Sequence, residues 1–242
     1  IVAMFLAIWF NVKRNHEIEV HPTHMRLEGR TVRAIYSVGV PSILMMSIGS
    51  VMTFGMNKIL LVFSSTAAAV FGVYFKLQSF FFMPVFGLNN GMVPIIAFNY
   101  GAHKKERITH TIRLSCTFAF AMMMLGLLVF QLIPDKLLLL FNASEDMISI
   151  GSNALRIISW SYLFAGFCII LSSVFQALGN GVYSLIVSVA RQLLVLLPSA
   201  WILAEAFGLH AVWWSFPIAE IASILLSVVL FLKIYRQKIQ TL

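Results

Sequence analysis

Charge is scarce in this sequence. Only 11% of its 242 residues are Asp, Glu, Lys or Arg, against roughly 25% in an ordinary soluble domain. Acid is scarcer than base: nine Asp and Glu stand against seventeen Lys and Arg, a formal charge of +8. There are two cysteines, Cys116 and Cys168. Both lie in apolar stretches without metal-ligand spacing, which excludes a disulfide-built scaffold. No Ser/His/Asp or Cys/His arrangement falls within the apolar stretches. No HExxH occurs, and no two acids there share a helix face. No phosphate-binding glycine loop follows a strand, so the sequence contains no ATPase motor. These gaps point away from an enzyme and away from a bound cofactor or metal.

Apolar residues fill the space that charge leaves. They make up 60% of the chain, about 145 residues. A membrane-crossing helix needs roughly 20 of them, so six helices would use about 120–150. Nearly the whole inventory is accounted for, which excludes a soluble globular domain and intrinsic disorder. The expected class is an all-α membrane protein, a six-transmembrane-helix bundle with short loops. In that setting the +8 charge points to membrane lipid as a partner rather than nucleic acid.

Ile1–Phe10 is an apolar run too short to span a bilayer. It reads as the end of a helix that begins outside the sequence. Residues 11–36 form the most polar stretch, expected as a cytoplasmic linker with an amphipathic helix over Thr23–Tyr36. Its histidines, His16, His21 and His24, lack the spacing of a standard zinc site. Six spans are then expected over residues 37–232: Ser37–Phe63, Val70–Phe98, Leu114–Ile133, Leu155–Leu178, Tyr183–Leu203 and Ala211–Leu232. Pro41 falls in the first turn of the first span, and Ser64–Ala68 is a turn. His103–Arg113 is read as a basic loop. Ser144 has the character of an N-cap, with Glu145 and Asp146 opposing the helix dipole. Gly179-Asn180-Gly181 is a tight turn, and residues 233–242 are a polar tail.

Lys and Arg fall unevenly between the two sides. The linker holds five, the His103–Arg113 segment four and the tail three, twelve in all. The opposite side holds Lys136 and Arg156. Twelve against two is a strong positive-inside bias, and it predicts cytoplasmic linker and C-terminus. The expected location is a bacterial cytoplasmic membrane, with the chain crossing it several times.

Polar groups inside spans are costly and therefore informative. Lys58, Lys76 and Arg191 can each reach an interface by snorkelling, and Lys76 can alternatively line a cavity. Glu220 lies deepest of the acids. It can serve as a cation or proton site, or pair with a nearby cation. Gln78, Phe82, Val85 and Asn89 recur at three or four residues and share a helix face. Lys76, Phe80, Gly87, Gly91 and Pro94 form the neighbouring stripe. With Pro84 and Asn90 in the same segment, the helix is expected either to bend at a binding site or to pack closely through its small residues. The candidates for cavity lining or gating are Lys76, Gln78, Pro84, Asn89, Asn90 and Glu220.

The run Lys76-Leu77-Gln78-Ser79, then Met83 to Gly91, Pro94 and Asn99-Tyr100-Gly101-Ala102, resembles the multidrug and toxic compound extrusion (MATE) family. The match is to the second helix of that family's C-terminal lobe. Phe175 to Gly181 running on to Arg191-Gln192 resembles the join of the fourth and fifth helices. Gly39-Val40-Pro41 resembles the start of the first, and Trp213 to Pro217 with Glu220 the last. The resemblance covers essentially the whole chain. It implies one six-helix lobe of a twelve-helix transporter whose N-terminal lobe lies outside the sequence. Ile1–Phe10 would then end helix six. It also implies export of small-molecule substrates through a cavity between lobes, in exchange for Na+ or H+. Some members carry a coupling acid in the first or fourth helix of this lobe, and neither Ser37–Phe63 nor Leu155–Leu178 contains one. Lys58 and Lys76 would not attract organic cations, so either they face away from the cavity or the substrate is not a simple cation. Alternatives are a lipid-linked saccharide flippase of the same architecture and a non-transporting structural subunit.

Overall fold

A computed structural model of the chain describes residues 2–14 and 28–242. His16, His21 and His24, with half of the linker and the start of its expected amphipathic helix, lie outside the described residues. The chain divides into two compact units, residues 1–40 and 41–242. Helix α1, Val2–Arg14, belongs to the first. It continues four residues beyond Phe10, through Asn11 to Arg14.

Among the described residues the architecture is all-α and membrane-spanning. Five helices are long and apolar enough to cross a bilayer, and a bent pair makes a sixth. Helix α2 is Gly29–Leu61, α3 is Ser65–Gly101 and α4 is Lys105–Leu132. Pro41 therefore lies well inside α2 rather than in a first turn. The turn before α3 is shorter than Ser64–Ala68, because Ser64 caps the helix by accepting the Ala67 N–H at 3.0 Å. The segment read as a basic loop is mostly helix. Only Ala102 to Lys104 connects α3 to α4, with His103 in the left-handed region at φ 54°.

At 1.5 Å per residue α3 is about 55 Å long, well beyond a bilayer core of about 30 Å. It stays helical through Pro84 and Pro94. The helix is not interrupted at either proline, and the breaks in the backbone lie elsewhere. The expected span Leu155–Leu178 is two helices, α6 (Glu145–Ser159) and α7 (Tyr162–Ala177), bent by 55°. Serine hydroxyls explain the break. Ser159 donates to the Arg156 carbonyl at 2.8 Å and Ser161 to that of Ile158 at 2.7 Å, competing with the helical ladder. From α4, Gln131 donates to the Arg156 carbonyl at 2.8 Å and to Ser159 Oγ at 2.9 Å, satisfying the opened turn.

A short helix, α5 (Pro134–Leu139), precedes α6. Ser144 caps α6 by accepting the Met147 N–H, with Glu145 and Asp146 in the first turn as expected. Gly179 turns the chain at φ 74°, in the left-handed conformation that glycine supplies most cheaply. The next span comprises α8 (Gly181–Val189), a π-helical segment (Ala190–Leu196) and α9 (Leu197–Phe207). The last comprises α10 (Leu209–Val212), α11 (Ser215–Ile234) and a π-helical turn, Tyr235–Ile239. The tail is thus largely helical. Its Lys238 donates to the Leu178 carbonyl at 2.7 Å, capping the end of α7.

The core runs between α3, α4, α6, α7 and α11, with Phe71, Phe130, Tyr162, Phe175 and Trp213 fully buried. The outer faces carry Phe80, Met83, Phe98, Leu132 and Trp201, all strongly exposed. Such a surface suits lipid tails and not water.

Candidate functional site

Two adjoining cavities, of about 650 and 450 Å³, open between α2, α3, α7, the π-helical segment and α11. They share four wall residues: Gln78 and Phe82 of α3, with Arg191 and Gln192 of the π-helical segment. The first has an aromatic wall of Tyr74, Phe75, Phe82 and Phe216, and a polar side that includes Asn57 and Ser161. The second is lined by Asn89, Asn90, Gln176 and several serines.

At the shared wall Arg191 Nη1 donates to Glu220 Oε2 at 3.1 Å. The Glu220 side chain is 6% exposed and that of Arg191 33%. Among the described residues lining the cavities these are the only charges, and each neutralises the other. Glu220 pairs with a cation, one of the two roles foreseen for it. Arg191 does not snorkel to the interface. A carboxylate within reach costs less to satisfy than a path along lipid.

The backbone explains how Arg191 comes to face inward. Pro198, just inside α9, lacks an N–H and would collide with the carbonyl four residues earlier in a regular helix. The chain answers with a widened segment immediately before it, in which the Leu197 N–H bonds to the Gln192 carbonyl five residues back. A π-helical insertion displaces the residues it contains relative to a regular helix, and such insertions are frequent at functional sites. Gly55 of α2 makes room for the first residue of α9, while Gly49 meets the π-helical segment at ordinary contact distance. A Cβ on Gly49 would lie 3.8 Å from Gln192 Oε1, and one on Gly55 would collide with Leu197 Cδ2 at 2.8 Å.

Of the sequence candidates, the fold gathers Gln78, Asn89, Asn90 and Glu220 around the cavities. The shared face of Gln78, Phe82 and Asn89 lies inward, with Val85 fully buried. Lys76 and Pro84 are not brought there. The neighbouring stripe faces outward: Lys76, Phe80, Pro84, Gly87, Gly91 and Pro94 are exposed. Lys76 Nζ sits 5.8 Å from the centre of the Phe141 ring, and Lys58 Nζ 5.3 Å from that of Phe54, both clear of the cavities. Neither lysine lines these two cavities. Residues not anticipated as lining are Tyr74, Asn57, Ser161 and Gln192. The signal that could have found Gln192 is an Arg-Gln pair in an apolar span six residues before a proline.

Comparison with known proteins gives a consistent picture. The family model MatE matches residues 41–202. The multidrug export protein MepA of Staphylococcus haemolyticus (strain JCSC1435) is 28% identical over 223 residues, covering 91% of this chain and 48% of that protein. The chain therefore spans about half the length of the curated relatives it matches. Among solved structures, the outward-facing conformation of a multidrug resistance MATE family transporter of the MOP superfamily has a TM-score of 0.85. It is 21% identical, and the match covers 99% of this chain and 53% of that one. The crystal structure of a MATE in complex with MaL6 has a TM-score of 0.83 at 23% identity, over 99% of this chain and 54% of that one. At these identities the structural likeness establishes the fold.

Proposed function

This chain belongs to the MatE family, and from that premise we propose that it is one lobe of an ion-coupled exporter of drugs or small organic metabolites. The observation that carries the reading is the pair of cavities. They place neutral polar groups and one self-neutralised charge pair against an aromatic wall, inside helices that are otherwise apolar. Such a lining holds amphipathic molecules loosely without fixing one chemical identity. MepA of Staphylococcus haemolyticus is a multidrug export protein, and the reading extends that activity to this chain.

The lobe supplies one wall of the transport path, and a second lobe completes it. Substrate is carried by alternating access, the two lobes rocking about the cavities, with no covalent chemistry. Na+ or H+ is the coupling ion. Helix α2 has no acid and those of α6 are confined to its first turn, so neither helix supplies its acid. The basic segments face the cytoplasm of a bacterial cell, placing the C-terminus there. A flippase for a lipid-linked saccharide would need free cations for its phosphates, whereas Glu220 occupies the only cation among the described lining residues.

Membrane vesicles carrying the full chain provide the test. An ion gradient should drive export of a fluorescent dye, and collapsing the gradient should stop it. Gln78→Ala, or Asn89→Ala with Asn90→Ala, should reduce export at normal expression. No gradient-dependent export of any dye at normal insertion would remove the reading and favour a structural subunit.

A further inference from the structure

A groove of about 460 Å³ lies apart from the two cavities, between the C-terminal ends of α2 and α9. Ile59, Val62, Phe63 and Trp201 supply most of its wall, with Lys58 of α2 and Glu205 of α9 among them. Trp201 and Glu205 are one turn apart, so they share a face of α9. Both charges are exposed, as are Val62 and Trp201, in a bundle whose surroundings are lipid. Opposite charges at one groove would ordinarily pair. These do not: among the described residues the only ion pair joins Arg191 and Glu220. Lys58 Nζ lies instead 5.3 Å from the centre of the Phe54 ring. A cation and an anion on one apolar groove, neither held by the other, suit a ligand that carries both signs and an apolar body.

We propose that this groove seats a zwitterionic phospholipid, its phosphate against Lys58 and its ammonium against Glu205. The lysine ammonium is a compact charge suited to a phosphate oxygen, and a lipid ammonium donates to a carboxylate in the same charge-assisted way. The acyl chains then cover Ile59, Val62 and Trp201, and the indole lies near the headgroup, where tryptophan is enriched in membrane proteins. Charge complementarity selects this occupant. An anionic lipid satisfies Lys58 but brings its net charge against Glu205. An organic cation meets Lys58. A free phosphate leaves the apolar wall uncovered. Only a molecule with both charges and a hydrocarbon body answers every part of the lining.

Two photoactivatable lipids with the same diazirine-bearing acyl chain test this: a phosphatidylethanolamine and a phosphatidylglycerol. Each is added in trace amount to the full chain in phosphatidylglycerol nanodiscs. After illumination the labelled peptides are identified by mass spectrometry, with no ion gradient and no export required. Exposed ion pairs are individually weak, so the expected preference is modest. The phosphatidylethanolamine should label the segments around Val62 and Trp201 at least about threefold more than the phosphatidylglycerol. The exposed Leu125 and Leu128 of α4 should be labelled equally by the two. Glu205→Gln should bring the ratio at the groove close to one, and Lys58→Gln should lower labelling by the phosphatidylethanolamine there. Equal labelling of the groove by both lipids in the wild-type chain would overturn the proposal. So would a preference unchanged in Glu205→Gln. A groove left unlabelled while α4 is labelled would overturn it too, since protein rather than lipid would then cover it.

Discussion

Two seams between helices run through this lobe, and they are built on opposite principles. Where α4 meets α7, the backbones touch almost directly. A Cβ on Gly166 would lie 3.1 Å from the Ala119 carbonyl oxygen, and one on Gly126 2.9 Å from Phe81 Cγ and 3.0 Å from Tyr162 Cε2. Ala119, Met123 and Tyr162 are fully buried there. Where α2, α3 and α11 face the π-helical segment, side chains hold the helices apart and the two cavities remain. Membrane helices have no hydrophobic drive to associate, because lipid is as apolar as leucine. Close packing must come from small residues, and one seam has them. The other has Gln78, Asn89, Arg191 and Glu220, whose polarity ties the helices together while keeping space between them.

The sharpest way to break this contrast is to put bulk into the dry seam. Gly166→Leu forces a side chain against backbone that cannot move aside, and should cost about 3 kcal/mol, the upper end for overpacking. Thermal unfolding of the solubilised protein should show a large drop in Tm, and an unchanged Tm would mean that the seam is not close-packed. Next comes Glu220→Leu in the wet seam, which strands Arg191. Removing one partner of a fully buried pair costs about 3–5 kcal/mol. Arg191 keeps some exposure, so about 2 kcal/mol is the expected loss. The double change Arg191→Met with Glu220→Leu should recover at least half of it, and no recovery would show that the pair contributes no coupling.

A smaller effect, of opposite sign, is expected from Pro198→Ala. With the N–H restored, the segment before it can close into regular helix, gaining roughly 1 kcal/mol. Arg191 would then rotate away from Glu220, so Tm should rise while dye export falls severalfold, a trade of stability against function. Export that survives intact would mean that the π-helical segment does not position the site. The smallest effect belongs outside both seams. Lys76→Gln, exposed over Phe141, should change stability by less than about 0.5 kcal/mol and leave export as it was. A clear loss would return Lys76 to the cavity wall.

These seams also show which features could be read in advance. The caps at Ser144 and the turn at Gly179 depend on neighbours within a few residues, so local sequence reveals them. That Gln78, Phe82 and Asn89 share one face was readable from spacing alone. The environment of the stripe that carries Lys76 and Pro84 was not, because both stripes mix polar and apolar residues and spacing does not say which of them a cavity meets. Apolar periodicity cannot separate a lipid-facing stripe from a core-facing one when both environments are apolar. Prolines were misleading in the same way. Pro84 and Pro94 pass through α3 without a break, while Pro198 is accompanied by a π-helical segment at the cavities. The bend at Trp160 arises from serine hydroxyls and from Gln131 on another helix, a partner that no local window contains.

By itself the sequence determined that this is an all-α membrane bundle with about six crossings. Scarcity of charge and abundance of apolar residues leave a hydrogen-bonded helix as the way to carry such a backbone through lipid. The tertiary structure alone decided which polar residues meet. Arg191 and Glu220 are 29 residues apart and on different helices, and each is affordable in an apolar span because the other is 3.1 Å away. That distance depends on how a π-helical segment, a proline and the glycines of α2 settle against one another. It is a property of packing, which composition and periodicity do not encode.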